Sequence, residues 1–213
     1  MNEATRIIAI RHGQTAWNAE TRMQGQLDTA LDALGRWQAQ QLAQALAHEP
    51  IDAIVASDLS RAMDTASPLA KARGLRVQRE RGLRERCFGI FEGFTYADIA
   101  RHWPDETARW RARDPAFAPE HGESLTAFYE RCIAVAERLA DEYAGRAIVW
   151  VTHGGVLDCL YRAATRVALD APRTWALDNA SINRLLHGDQ GLMLVGWGDT
   201  HHLAKATDDA REA

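Results

Sequence analysis

Short apolar runs alternate with longer helical patterns along this sequence, and the alternation restricts the possible folds more than any other feature. Each run holds two to four residues, with β-branched side chains prominent, which indicates buried strands. Strands that alternate with helices of ordinary length predict βαβ units. The four predicted strands are Ile7–Ile10, Ala53–Ala56, Val77–Gln78 and Ile148–Val151.

Helical patterns fill the gaps between these strands. Apolar residues recur at three- and four-residue spacing over residues 31–46, which predicts a helix with one buried face. A second helix is expected over residues 60–73, where Gly74 ends it and Pro68 predicts a kink or a break. Two more helices are expected over residues 124–143 and 154–165.

Together these elements predict an α/β fold with three layers, in which a mostly parallel central sheet has helices on both faces. The chain ends in a predicted hairpin, Ile182–Leu186 with Leu192–Val195, which would add an antiparallel edge. Residues 94–122 interrupt the alternation and are rich in Arg, Trp and Pro, and we expect them to form a small helical cap insertion. We expect residues 1–213 to form a single domain.

The charge balance and the cysteines limit the partners and the compartment. The chain has 25 basic and 29 acidic residues, a net charge of −4, whereas binding to duplex nucleic acid or to an anionic membrane requires a basic surface. No apolar run approaches the about 18 residues that span a membrane. The three cysteines are widely spaced, a pattern that matches neither a disulfide framework nor a zinc motif. We therefore expect a cytoplasmic protein with no nucleic-acid or membrane partner.

Cationic and imidazole side chains follow three of the predicted strands. Arg11 and His12 follow the first strand, and Arg61 begins the helix after the second. His153 follows the last strand of the parallel set, and Glu85 lies in a glycine-rich loop between these segments. In open α/β sheets, ligands bind beyond the carboxyl ends of the strands, so we expect these side chains to meet there. The N-terminus of a helix beside Arg61 also favours an anion.

Four segments of the chain resemble motifs of the histidine phosphatase superfamily, which includes the cofactor-dependent phosphoglycerate mutases. Residues Arg11 to Asn18 resemble the RHG signature of that superfamily. The other three segments follow in the family's order, so the resemblance extends from residue 7 to about residue 203. They are Ser57–Ala66 with its basic residue, the acid loop Glu85–Gly93, and Thr152–Gly155 with the second histidine.

The resemblance implies that His12 is the nucleophile that attacks phosphorus to form a phosphohistidine, with its other ring nitrogen held by a backbone carbonyl. Arg11, Arg61 and His153 would surround the phosphoryl oxygens, where the transition state carries negative charge. Glu85 would protonate the leaving oxygen and later deprotonate the attacking water. Since guanidinium groups balance the charge, no metal ion is expected. Five more residues are expected to bind phosphate or substrate: Asn18, Gln24, Gly25, Gly154 and Arg86.

The acid loop favours the phosphatase branch of the superfamily over the mutases. Cys87 and Phe88 stand where mutases usually have His and Tyr, and the insertion ends in Gly122–Leu125, as in the shorter phosphatases. We therefore predict hydrolysis of a small phosphorylated metabolite, such as a sugar phosphate, a phosphoglycerate or α-ribazole phosphate, without a cofactor. A phosphoglycerate mutase that uses 2,3-bisphosphoglycerate is the alternative. A catalytically silent phospholigand-binding regulatory protein is a third hypothesis, but such a protein would have lost its nucleophile or its acid, and this sequence has both His12 and Glu85.

The cap, rather than the motifs, is expected to set the substrate. Its tryptophans could form an apolar wall for a bulky ester, although core packing is the favoured interpretation. Its arginines could bind an anionic substrate tail, but a solvated helix face is favoured. Glu92 is expected to tie down its own loop rather than take part in catalysis, and the resemblance makes a homodimer reasonable. The cap residues concerned are Trp103, Trp110, Arg109, Arg111 and Arg113.

Overall fold

A six-stranded sheet runs through the centre of the computed structural model, which describes residues 4–204. Its strands are β1 (Thr5–Arg11), β2 (Ala53–Ala56), β3 (Val77–Arg79), β4 (Ala147–Thr152), β5 (Ile182–Gly188) and β6 (Gly191–Asp199). They lie in the order β3-β2-β4-β1-β5-β6. The first four in that order are parallel, whereas β5 and β6 form an antiparallel edge. The predicted strand types and the predicted hairpin are therefore confirmed.

Seven α-helices lie within residues 4–204: α1 (Ala16–Ala19), α2 (Ala33–Ala45), α3 (Ser60–Arg73), α4 (Tyr96–His102), α5 (Pro104–Arg111), α6 (Leu125–Glu142) and α7 (Gly154–Thr165). Side-chain caps fix where several of them begin. The Asp32 carboxylate accepts from the Gly35 amide at 2.7 Å at the start of α2, and the Ser124 hydroxyl accepts from the Ala127 amide at 3.0 Å at the start of α6. Of the helices described, none is long and apolar enough to cross a membrane.

Alternate residues of each central strand face opposite helical layers. Ile7 and Ala9 of β1 belong to the apolar cluster that α6 and α7 cover. Ile8 and Ile10 of the same strand belong to the cluster that α2 and α3 cover. Since both faces of the sheet are buried under helices, the structure confirms the three-layer α/β fold.

Three local predictions differ from the structure. The helix predicted over residues 31–46 begins two residues later, because Leu31 pairs with Thr15 in an isolated bridge. The break expected at Pro68 does not occur: α3 passes through it, held against the core by its buried residues on either side. Proline removes one backbone donor from a helix, a loss that the packing of this face outweighs. The hairpin turn is also tighter than predicted, since Gly188 pairs with Gly191.

The cap region has a small apolar cluster of its own. Ile99 and Phe117 from the insertion pack there with Phe91 of the acid loop, and all three are buried. The Trp103 ring lies 5.5 Å from the Phe91 ring between centroids, which agrees with the expected core role of Trp103. The cluster joins α4 and α5 to the acid loop, so the insertion lies beside the predicted site.

Candidate active site

The predicted site residues meet in one pocket at the carboxyl ends of β1, β2 and β4. The pocket has a volume of about 530 Å³. His153 lies buried behind it, with its ring centroid 5.1 Å from that of His12. The other nine predicted residues line the pocket: Arg11, His12, Asn18, Gln24, Gly25, Arg61, Glu85, Arg86 and Gly154.

His12 is held at the base of the pocket in a defined orientation. Its ring Nδ1 lies 2.7 Å from the Gly13 carbonyl oxygen, and the ring is 3% exposed. Because a carbonyl oxygen only accepts hydrogen bonds, Nδ1 carries the proton of this contact. The neutral ring therefore keeps a lone pair on Nε2, the nitrogen available to a ligand.

Both buried histidines are held in the neutral form. Burial lowers the pKa of His12 well below 6.5, and the charges of Arg61 and Arg11 lower it further. Burial likewise lowers the pKa of His153 well below 6.5, with Arg61, His12 and Arg11 adding to the effect. A neutral imidazole is the form that can attack an electrophile, so His12 is suited to act as a nucleophile at neutral pH.

His153 has one engaged and one free ring nitrogen. Its Nε2 lies 2.8 Å from the Ser57 hydroxyl oxygen, and both residues are fully buried. Its Nδ1 is buried without a hydrogen-bond partner among residues 4–204. A buried polar atom without a partner is costly, so Nδ1 is suited to contact a bound ligand.

Two guanidinium groups lie at the base of the pocket and keep a free N–H each. Arg61 is fully buried, and its two terminal nitrogens donate to the carbonyls of Leu27 at 2.9 Å and Gly25 at 2.7 Å. Arg11 donates through one terminal nitrogen to the Leu177 carbonyl. The Nε of each arginine is buried with no acceptor in the described part of the chain. These groups are oriented by neutral carbonyls and retain their charge for an anion.

Burial opposes the charge on these arginines without removing it. It lowers the pKa of Arg61 to about 10, although the nearby carboxylates of Glu85, Asp28 and Glu92 oppose the shift. The pKa of Arg11 is lowered for the same reason. At neutral pH Arg61 remains a cation that a phosphate dianion would stabilise.

Glu85 is fixed by two backbone amides. One carboxylate oxygen accepts from the Arg86 amide at 2.8 Å and the other from the Gly155 amide at 3.0 Å. A Cβ atom on Gly155 would lie 2.1 Å from Oε1 of Glu85, so only glycine permits this close approach. The sequence at the start of α7 thereby places a carboxylate beside the pocket.

Asn18 and Gln24 also line the pocket, each with a side-chain amide group. The Asn18 side-chain oxygen accepts from the Thr15 amide at 3.1 Å and from the Asn179 amide group at 3.3 Å, which leaves the Asn18 nitrogen to donate into the pocket. The Gln24 oxygen accepts from the hydroxyls of Thr15 at 3.0 Å and Thr29 at 2.5 Å. Both amide groups are therefore oriented by their oxygen atoms.

Glu92 holds two loops together, which agrees with the structural role that the sequence favoured for it. Its Oε1 accepts from the amides of Gln26 at 3.0 Å and Phe88 at 2.8 Å. Gly25, with φ +55°, leaves the space for it, because a Cβ there would lie 2.0 Å from the same oxygen. Glu92 is absent from the pocket lining, so its effect on the site is through the position of the loops.

Arg86 connects the acid loop to the cap. It is buried, and it donates to the carbonyls of Glu123 at 3.0 Å and Phe117 at 2.9 Å. Burial lowers the pKa of Arg86, and the carboxylates of Glu123 and Glu85 oppose that shift. The residue lines the pocket and links the position of the cap to that of the neighbouring Glu85.

The interpretation of the cap arginines as a solvated face is wrong for Arg113. α5 ends at Arg111, and Arg113 adopts φ +56°, which turns its side chain to the Asp158 carboxylate at 2.9 Å. Arg109 instead pairs with Asp114, as a surface residue does. Trp110 also combines two roles, since it packs on Phe91 and lines the pocket.

Several residues of the pocket wall carried no signal in the sequence. Asp158 and Arg162 are four residues apart on α7 and pair at 2.9 Å, a spacing that could have indicated an ion pair but not its place in the pocket. The other residues lie in loops, in the cap or, for Phe128, on α6. The polar and aromatic lining residues outside the predicted set are Tyr96, Phe128, Asp158, Arg173, Trp175 and Asp178.

The arrangement can bind a phosphoryl group and offer it a nucleophile. Buried cationic donors, a neutral imidazole and a carboxylate share one pocket, and these are the functional groups that phosphoryl transfer requires. Within residues 4–204, no three side chains of His, Cys, Asp or Glu come together as a metal site. The fold and the site thus define a phosphoryl-transfer class of protein.

Comparison with known proteins identifies the family. The family model of the histidine phosphatase superfamily (branch 1) matches residues 7–200. Phosphoglycerate mutase-like protein 4 of Arabidopsis thaliana is 40% identical over 202 residues, covering 92% of this chain and 86% of the relative. The metal-independent phosphoserine phosphatase of the same plant is 34% identical over 207 residues, covering 95% and 85%. The chain belongs to the histidine phosphatase superfamily.

A solved structure supports the same assignment. The mycobacterial glucosyl-3-phosphoglycerate phosphatase in complex with VO3 is 37% identical and superimposes with a TM-score of 0.79. The match covers 92% of this chain and 99% of that chain. Phosphatases of this superfamily are thus among the relatives of this chain in both sequence and structure.

Proposed function

We propose that the protein is a phosphatase that hydrolyses a small phosphorylated metabolite through a phosphohistidine on His12. The observation that carries the proposal is the contact of His12 Nδ1 with the Gly13 carbonyl at 2.7 Å, because it leaves the Nε2 lone pair free in a pocket of buried cations. The phosphatases among the relatives support the reaction type.

In the first proposed step, His12 Nε2 attacks phosphorus while the bond from phosphorus to the ester oxygen breaks. Glu85 donates a proton to the leaving oxygen, so the alcohol departs uncharged. Arg11 and Arg61 donate to the equatorial phosphoryl oxygens through N–H groups that have no acceptor within the described chain. The amide nitrogens of Asn18 and Gly154 are further donors.

In the second proposed step, a water molecule attacks the phosphohistidine and the bond from nitrogen to phosphorus breaks. The Glu85 carboxylate, free of its proton after the first step, takes a proton from this water. His153 faces the same group through Nδ1, and Ser57 holds its other nitrogen at 2.8 Å. Phosphate leaves, and His12 returns to its neutral form with the lone pair on Nε2.

We propose that this reaction needs no metal ion. Guanidinium groups at the base of the pocket supply the positive charge that phosphoryl transfer requires. A relative named as a metal-independent phosphoserine phosphatase supports this part of the proposal.

Phosphoglycerate mutase activity is the second candidate function. It is favoured by the relative named phosphoglycerate mutase-like protein 4, and it would require 2,3-bisphosphoglycerate to return a phosphoryl group to the product. Cys87 and Phe88 stand in the acid loop where mutases usually have His and Tyr, and this difference favours hydrolysis.

A turnover assay of the purified protein tests the proposed function. We expect hydrolysis of p-nitrophenyl phosphate and of 3-phosphoglycerate that continues in the presence of EDTA. Isomerisation of 3-phosphoglycerate that depends on 2,3-bisphosphoglycerate, with negligible hydrolysis, would establish the mutase instead. Loss of turnover in EDTA with recovery on adding a divalent cation would overturn the metal-independent mechanism.

A further inference from the structure

The loop between α7 and β5 forms part of the pocket rim, and a buried cation holds it in place. Arg162 is 1% exposed and donates to the carbonyls of Ala168 and Ala171, the latter at 2.9 Å. Its guanidinium lies 4.7 Å from the centroid of the Trp175 ring, which stacks on Tyr161 at 4.0 Å between centroids. This part of the rim is therefore fixed by side chains that the proposed chemical steps do not use.

Six arginines line the pocket, and five of them donate to groups of the protein itself. Arg11 and Arg61 donate to backbone carbonyls, as do Arg22 and Arg86. Arg113 donates to the Leu169 carbonyl and to the Asp158 carboxylate.

Arg173, the sixth, differs from the others. It lies on the fixed loop, two residues before Trp175, and it is exposed at the pocket rim. Of the residues that the structure describes, none accepts a hydrogen bond from Arg173 or forms an ion pair with it, including Asp178, which lines the same pocket. A solvated arginine on an open surface is common. This one lines the same pocket as Arg11 and Arg61, so its charge borders the same ligand space.

The charge of Arg173 reaches the interior of the pocket. Burial is the main cause of the lowered pKa of Arg11 at the base and of the raised pKa of Tyr96 on the cap side; the charge of Arg173 adds to the first shift and opposes the second. Arg173 therefore lies within electrostatic range of two groups that border the ligand space from different elements. Arg11 and Arg61 are already assigned to the phosphoryl oxygens, so Arg173 remains for another part of the ligand.

We propose that Arg173 binds a second anionic group, carried by the alcohol part of the substrate. A guanidinium donates in parallel to the two oxygens of a carboxylate or a phosphate, which are the two groups that match it. The inference rests on the proposed phosphatase function and narrows its substrates to phosphate monoesters with a second negative group. Arg173 selects the substrate and does not take part in the chemical steps.

Matched pairs of esters test this inference. The carboxylate of 3-phosphoglycerate is replaced by a hydroxymethyl group in glycerol 3-phosphate, and that of O-phosphoserine is replaced by a hydrogen atom in O-phosphoethanolamine. Fructose 1,6-bisphosphate against fructose 6-phosphate tests a second phosphate. We expect the wild type to prefer the member with the second anion by about tenfold in kcat/KM in at least one pair, and the pair identifies the group. Arg173→Gln should remove that preference through KM, and Arg173→Lys should keep part of it.

Arg111→Gln is the matched control, because Arg111 is an exposed cap arginine outside the pocket and the change in net charge is the same. It should keep the preference of the wild type. Equal kcat/KM for both members of every pair, or a preference that persists in Arg173→Gln, would overturn this inference alone. No hydrolysis of any ester by the wild type would overturn the proposed function, and this inference with it.

Discussion

The base and the rim of the pocket are built in different ways. The base consists of side chains at the ends of β1, β2 and β4, and Arg61 and His153 there are fully buried. The rim consists of cap residues and the loop after α7, and it includes the half-exposed Tyr96 and the exposed Arg173. Backbone carbonyls and amides orient the base, whereas the rim leaves charged donors open to the ligand.

This difference between base and rim indicates that the base carries out the reaction and that the rim selects the substrate. A buried base with fixed donors can stabilise a transition state without reorganising, because its orientation is set before the substrate arrives. Side chains of an exposed rim can be substituted without disturbing that base, and such substitutions can adapt the same reaction to another ester. Substitutions at the base should therefore lower kcat, whereas substitutions at the rim should change KM and substrate preference.

Among the substitutions that keep His12, the largest effect is expected from Arg61→Met at the base. The substitution keeps an apolar stem but removes a buried cationic donor, so kcat should fall by about 100-fold to 1,000-fold. Steady-state kinetics on p-nitrophenyl phosphate measures the effect, and a thermal melt checks that the variant is folded. If Arg61→Met kept the wild-type kcat and only raised KM, the distinction between base and rim would be wrong.

Gly155→Ala should come next, through the position of Glu85. The new Cβ would lie 2.1 Å from the Glu85 carboxylate, so the acid must move, and kcat should fall by about 100-fold. Gly196→Ala is the control, because a Cβ at Gly196 meets nothing within 4 Å. Kinetics of the two variants should differ sharply. Wild-type kcat in Gly155→Ala would show that the position of Glu85 does not limit the reaction.

Glu92 joins the acid loop to the loop that contains Gln26, and two substitutions of it distinguish a positioning role from a role in proton transfer. Glu92→Ala removes the acceptor for the amides of Gln26 and Phe88, so kcat/KM should fall by about tenfold. Glu92→Gln keeps a side-chain oxygen for both amides and should retain most activity with an unchanged pH profile. Equal losses in both variants, with a shifted pH profile, would instead show that Glu92 exchanges protons with the substrate.

The smallest expected effect is on the pH dependence of the free energy of unfolding, to which the two buried histidines of the base should contribute. The folded-state pKa values of His12 and His153 lie below their ordinary value of 6.5, so the unfolded chain binds more protons below that pH. Their contribution to stability is complete above pH about 6.5 and is lost as the pH falls, at up to about 1.4 kcal/mol per pH unit for each histidine.

Urea unfolding between pH about 7.5 and about 5.5 measures this slope. His153→Gln should reduce the slope, whereas His121→Asn should leave it unchanged, because His121 is exposed on the cap. An unchanged slope in His153→Gln would mean that this imidazole does not titrate differently in the folded and unfolded states.

The sequence predicted the base and missed the rim, for a physical reason. Strand ends such as Arg11 and His153 are local features, and the topology of a parallel sheet brings such ends together. The rim depends on contacts that no local pattern encodes. Arg113 reaches Asp158 across 45 residues because its backbone turns at φ +56°, and helical periodicity gives no sign of this.

The same contrast between local patterns and distant contacts explains which helices were predicted correctly. α6 and α7 follow their apolar periodicity closely, since packing on the sheet depends on that pattern. At Pro68 the predicted kink or break does not occur, because tertiary packing outweighs the local effect of proline. The single domain, the homodimer and the cytoplasmic compartment stay predictions.

The base is proposed to be a nucleophilic site built on His12, and trapping the phosphoenzyme tests this proposal most directly. A rapid quench with labelled substrate, followed by mass spectrometry at alkaline pH, should find an acid-labile phosphoryl group on His12 of the wild type. Because His12 is the proposed acceptor of the phosphoryl group, His12→Ala should carry no label and lose turnover. Label retained by His12→Ala, or found on another residue of the wild type, would contradict it.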